Sequence, residues 1–290
     1  MSVKFGLSVS VIGLALALGA MAAPAAAERA SAASSYRAPR GPDGKHPDLN
    51  GVWQVLNTAN WDLEPHMARA ALQLRPGPVV PVPAKSVLAL GAVGSVPPGP
   101  GVVVGGTIPY KPEALAKRNE NREHYLERDP EVKCFLPGVP RATYMPYPFR
   151  IFQSDKSMLM AYEYDGAVRN ILFTDPGPAP ADSWMGQSVA HWEGDTLVVK
   201  VTALNDQTWL DRAGNHHSDQ LSVVERYTPT SPVTVRYEAE ITDPETYTHP
   251  WKMEMTLYKA VSSDVQLGQF KCVEFVTELM YGDLRKEPLK

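Results

Sequence analysis

The chain has 290 residues, a formal net charge of −4 and 44% hydrophobic residues. A mildly acidic protein lacks the basic field that holds phosphate backbones, so nucleic acid is excluded as a partner. The length suits one large domain with a substantial core.

Residues 1–27 read as a secretory signal peptide. Lys4 supplies the positive start, Phe5 to Met21 is apolar, and Ala25-Ala26-Ala27 fits a small-residue cleavage site. Its removal takes away one lysine and no acid, moving the net charge from −4 to −5. No later segment reaches the roughly 20 apolar residues that a spanning helix needs. The mature protein is therefore expected in the periplasm or outside the cell, without an integral membrane segment. Residues 28–46 are polar and rich in Ala, Ser and Arg, which predicts a flexible N-terminal segment.

Residues 47–290 read as a single β-rich domain. Gly51 to Val55 is the first strand. The stretch 75–109 is rich in Pro and Gly, including Pro97-Pro98-Gly99-Pro100, and predicts an extended loop wrapped over the body. Residues 111–128 form the one convincing helix, with Pro112 in its first turn. Its charges, Arg118, Glu120 and Glu123 among them, suit a solvated face, and His124 is expected to be solvated too. Strands are then predicted at Phe149–Gln153, Met158–Tyr164, Val168–Phe173, Val189–Trp192, Thr196–Leu204, Gln220–Thr228, Thr234–Thr242, Trp251–Lys259 and Gln269–Val276. Short turns require antiparallel neighbours. The expectation is a mainly β fold, an antiparallel meander closing into a lipocalin-like barrel, with a β-sandwich as the alternative and one peripheral helix. Export makes a Cys134–Cys272 disulfide the default, tying the last strand to the entrance of the sheet.

Gly51-Val52-Trp53 resembles the Gly-x-Trp signature of lipocalin-type barrels. The run from Cys134 to Tyr281 resembles a family of exported bacterial proteins of unknown function. The matching elements are Pro146-Tyr147-Pro148-Phe149, Trp192-Glu193-Gly194-Asp195-Thr196-Leu197-Val198-Val199, Thr208-Trp209-Leu210-Asp211, His217-Ser218, Val224-Glu225-Arg226-Tyr227 and Thr242-Asp243-Pro244. The resemblance implies no particular chemistry.

Three of the seven histidines and three of the six tryptophans fall between Trp184 and Asp243. Imidazoles exchange protons near neutrality, which makes His217 and His191 candidate acid–base residues with Asp211 as orienter. Because the rings of adjacent His216 and His217 would point to opposite faces of a strand, only one is expected to enter an interior cavity. Tyr144, Tyr147, Arg141, Trp184, Trp209 and Trp251 are candidate binding residues around a barrel mouth. Arg141 and Arg169 have a plainer reading as structural ion pairs. No HExxH or paired CxxC spacing occurs, so no metal site is expected, and nothing signals another cofactor. Two functions remain open. One is a small-molecule enzyme of isomerase, hydratase or lyase type acting on an apolar or aromatic substrate. The other is a non-catalytic, lipocalin-like ligand carrier.

Overall fold

Apolar residues at every second position build nine strands. These are β1 (Gly51–Val55), β2 (Phe149–Gln153), β3 (Ser157–Tyr162), β4 (Val168–Leu172), β5 (Gln187–Glu193), β6 (Thr196–Thr202), β7 (Ser222–Ser231), β8 (Thr234–Thr242) and β9 (Trp251–Lys259). The computed structural model describes residues 36–78, 93–262 and 264–286. The predicted signal peptide lies outside these residues. The strands close into a barrel in sequence order, because β1 pairs with both β2 and β9. Every pairing is antiparallel except β4–β5, which is parallel through Ile171↔Ser188 and Leu172↔Val189. This departs from the expected antiparallel meander. The connection from 173 to 186 is long enough to carry the chain back to the start of the neighbouring strand, which takes about a dozen residues.

The strand expected at Gln269–Val276 does not form. Pairing of β1 with β9 uses the last free sheet edge, so the chain after Lys259 runs outside the barrel and forms a short helix there. The helix expected over 111–128 divides at His124 into α1 (Pro112–Glu123) and α2 (Tyr125–Arg128). Nor is its charged side uniformly solvated. Arg118 is buried, donating to Asn215 Oδ1 at 3.3 Å and to Glu64 Oε2 at 2.9 Å. Two more helices are α3 (Arg141–Tyr144) and α4 (Val276–Tyr281). No helix among the described residues is long and apolar enough to cross a membrane.

Residues 36–46, expected to be flexible, are anchored to the barrel. Arg40 pairs with Asp195 at 2.5 Å, and the His46 ring stacks on Trp192 with centroids 4.8 Å apart. Of the Pro/Gly-rich loop, 93–109 bridges to Arg69, His66 and Met253 through Val96, Gly99 and Val103, while 79–92 lies outside the described residues.

Inward side chains fill the barrel instead of surrounding a hollow. Phe149, Met160, Val199, Val201, Val223, Tyr227, Tyr237 and Met253 are all fully buried. Among them lies a polar cluster. The Arg169 guanidinium pairs with Glu225 and donates through Nε to Ser188 Oγ at 2.8 Å. The Tyr227 and Tyr237 hydroxyls donate to Glu225 Oε1 at 3.0 and 2.8 Å. Each buried charge thus has a counter-charge and hydrogen-bond partners, the condition under which ions persist in a core.

Candidate functional site

The loop from Thr208 to Ser218 is organised around Asp211. Its carboxylate accepts from Leu63 N at 2.8 Å, Ala213 N at 2.9 Å, Asn215 N at 3.2 Å and Asn215 Nδ2 at 2.6 Å. Burial, with the nearby Asp62 charge, pushes the Asp211 carboxyl up to about 7, against these donors, which favour the ionised form. All four partners fix loop backbone or Asn215, and His217 is not among them.

His217 is bound on both sides. Its Nδ1 lies 2.8 Å from Ser218 O and its Nε2 lies 2.6 Å from Thr208 Oγ1. A carbonyl can only accept, so Nδ1 carries the proton and Nε2 accepts from the Thr208 hydroxyl. A hydroxyl pointed at a neutral imidazole has the form of a nucleophile and its base. Here both side chains are buried, and the Gly138 backbone lies against Thr208. A Cβ placed at Gly138 would sit 2.7 Å from Thr208 Oγ1, leaving no room for a substrate. Burial lowers the pKa of His217 and takes His216 down to about 4. His216 stacks on Tyr110 with centroids 5.8 Å apart, and its Nδ1 has no hydrogen-bond partner among the described residues. His191 points outward from β5, with 64% of its side chain exposed beside Glu193. The expected set of His217, His191 and Asp211 is therefore not assembled in one place.

The expected binding residues also separate. Tyr144 is buried and donates to Leu210 O at 2.8 Å. Arg141 is a structural residue. It holds Asp129 through two bonds of 2.8 and 2.9 Å, Glu131 at 2.8 Å and Asn60 Oδ1 at 2.9 Å. Trp209 and Trp251 are buried, and Trp184 packs on Phe135 with centroids 4.8 Å apart. Of the six, Tyr147 lines a sizeable groove.

That groove, about 600 Å³ in volume, lies outside the barrel. One wall is aromatic, with Phe270 contacting both Tyr147 and Tyr164 at centroid distances of 4.8 and 5.0 Å. Trp61 and Arg212 contribute another side, the guanidinium carbon lying 5.4 Å from the indole centroid. The C-terminal chain supplies Cys272, Val273, Phe275 and Val276. Beneath them, Arg212 clamps Glu131 through bonds of 2.7 and 2.6 Å, and Arg141 bonds the same carboxylate. Burial alone would raise the Glu131 carboxyl, but the two guanidiniums hold it at about 2. Burial and the Glu131 charge raise the Tyr147 phenol. The charges at the base are thus mutually neutralised, and the groove offers mainly aromatic surface. The Cys134–Cys272 disulfide, expected from the sequence, fixes the C-terminal wall to the turn at Pro130–Lys133.

No known protein family, curated protein or solved structure matches the chain.

The groove itself was not anticipated. Trp61, Tyr164, Arg212 and Phe270 are far apart in sequence and belong to no motif. The one available signal was the cysteine pair, since joining Cys134 to Cys272 brings Phe270 and Phe275 against the segment from Pro130 to Phe135. Among the described residues, no three of His, Cys, Asp and Glu converge as metal ligands would.

Proposed function

We propose that this is an exported binding protein, periplasmic or secreted, that carries a flat, largely apolar molecule in the groove bordered by Tyr147, Tyr164, Phe270 and Trp61. The observation that carries this reading is a cavity of about 600 Å³ with an aromatic wall, whose buried charges Asp129, Glu131 and Arg212 are paired at its base while Lys271 stands at the exposed side. Pockets of this size, mostly apolar with few polar groups, suit small organic ligands. A charged ligand would have to compete with the Glu131–Arg212 pair, so the favoured ligand is uncharged. Stacking on the aromatic wall supplies the contact. The buried Thr208–His217 pair does not line this groove among the described residues, so the reading rests on binding and not on imidazole chemistry.

The test is a titration with N-phenylnaphthylamine, a neutral aromatic dye that fluoresces when desolvated. Saturable enhancement is expected, with affinity weakened in Tyr147→Ala while the circular dichroism spectrum is unchanged. Absence of saturable binding, or equal affinity in the variant, refutes this site.

A further inference from the structure

Much of the groove is built by chain that is not part of the barrel. After β9 the polypeptide returns along the outside, where Gly268 N donates to Glu163 Oε2 at 2.7 Å. Its far end is tied to the 73–75 segment, with Arg75 N donating to Leu284 O at 2.5 Å and Lys286 N to Gln73 O at 2.9 Å. Between these ends lie the groove-lining residues Phe270, Cys272, Val273, Phe275 and Val276. There the covalent attachment to the body is the disulfide, and Phe275 N donates to Val132 O at 2.7 Å. Val273, Phe275 and Val276 are each more than a third exposed, at 54%, 38% and 45%, so burial does little to hold them.

The backbone at this attachment is under strain. Four non-glycine residues among those described have positive φ, and two of them are Cys134 at 57° and Phe275 at 51°. Left-handed conformations are costly for residues with a Cβ and persist where surrounding structure enforces them. Here Cys134 carries the disulfide itself, and Phe275, three residues beyond Cys272, is held by its bond to Val132 O. Both cysteines are only partly buried, and Cys272 lines the open groove.

We propose that Cys134–Cys272 is a redox latch that controls whether the binding groove exists. The proposal rests on the groove being the ligand site. A dithiol reductant supplies the opening reaction. One of its thiolates attacks a cysteine sulfur, the S–S bond breaks, and the other cysteine leaves as a thiolate. The second reductant thiol then resolves the mixed disulfide. Two electrons and two protons pass to the protein, giving two thiols, and the reductant departs as its own disulfide. With the bond open, the strain at Cys134 is released and the segment carrying Phe270 to Val276 swings away from Tyr147. The barrel, closed by β1 and β9, does not depend on this segment.

The experiment compares the full-length oxidised protein, the same protein in dithiothreitol, and Cys134→Ser/Cys272→Ser. N-phenylnaphthylamine affinity and peptide-resolved hydrogen exchange are measured on each. Loss of the Phe270 and Phe275 contacts is expected to weaken the dye about tenfold in both opened forms. Amide protection should fall across 264–286 while β1 to β9 keep theirs. Affinity within about twofold of the oxidised protein overturns the latch and leaves the groove standing. Protection lost throughout the barrel strands also overturns it, because the bond would then hold the fold and not a wall of the site. Failure of the oxidised protein to bind refutes the groove reading and the latch with it.

Discussion

Replacing Glu225 by Gln removes the carboxylate that pairs with the Arg169 guanidinium inside the barrel while keeping an oxygen for Tyr227 and Tyr237. Both charged side chains are almost completely withdrawn from water. Two unit charges about 4 Å apart attract by about 4 kcal/mol at an effective dielectric constant near 20. Leaving one member of a buried pair uncompensated costs about 3–5 kcal/mol, and Glu225→Gln is expected to fall in that range. Arg169→Met should cost somewhat less, since the stranded carboxylate keeps two tyrosine donors at 3.0 and 2.8 Å. In the double variant no charge remains, and the Gln oxygen still accepts from the tyrosines. Its loss should therefore fall short of the sum of the single losses by about 2–3 kcal/mol. Urea unfolding followed by tryptophan fluorescence measures all four corners of the cycle, with an unchanged m-value confirming that the same surface is exposed. Additive losses, or a Glu225→Gln cost below about 1 kcal/mol as for surface pairs, would refute the claim that this cluster is a desolvated ion pair.

Two further outcomes follow from the loop at 208–218 and its surroundings. His216 titrates near 4 in the folded protein against an ordinary 6.5. Between these values the unfolded chain binds a proton that the native state does not, so stability falls as pH drops. The contribution is complete above 6.5 and lost by 4, up to about 3 kcal/mol. Wild type minus His216→Phe, measured by urea melts across this window, should show the slope. A difference that does not vary with pH excludes a buried neutral imidazole. Gly138 has φ of 72° and faces Thr208, so Gly138→Ala combines left-handed strain with a clash. A loss of about 1–3 kcal/mol is expected in thermal melts, and an unchanged melting temperature would show that the covering turn yields freely.

The alternation of apolar residues identified the barrel because a half-buried strand needs only local pattern. Of the nine strands this pattern predicts after Arg141, eight form, and the ninth shows the limit of local pattern. Phe270-Lys271-Cys272-Val273-Glu274-Phe275 alternates as a strand would, but a strand needs an edge to pair with, and β1 had taken it. The parallel β4–β5 pair was equally invisible, since direction depends on where a connection lands and not on the strand sequences. Arg141 and Asp211 carried chemical signals that the fold uses internally, the first to hold Asp129 and Glu131, the second to collect loop N–H groups. Residue type alone cannot separate such structural use from catalysis. The groove was hidden because Trp61, Tyr147, Arg212 and Phe270 meet only after the barrel closes.

Stitching β1 to β9 also dictates when the molecule can be finished. A chain made from its N-terminus has Gly51–Val55 in hand long before Trp251–Lys259 exists. Until then the first strand has an open side, and the cylinder is a ribbon with two bare borders. Pairings between such distant segments form slowly because a large loop must first be closed. A polypeptide built this way stays unclosed until its final strand emerges, a property well suited to being threaded through a narrow channel before it folds.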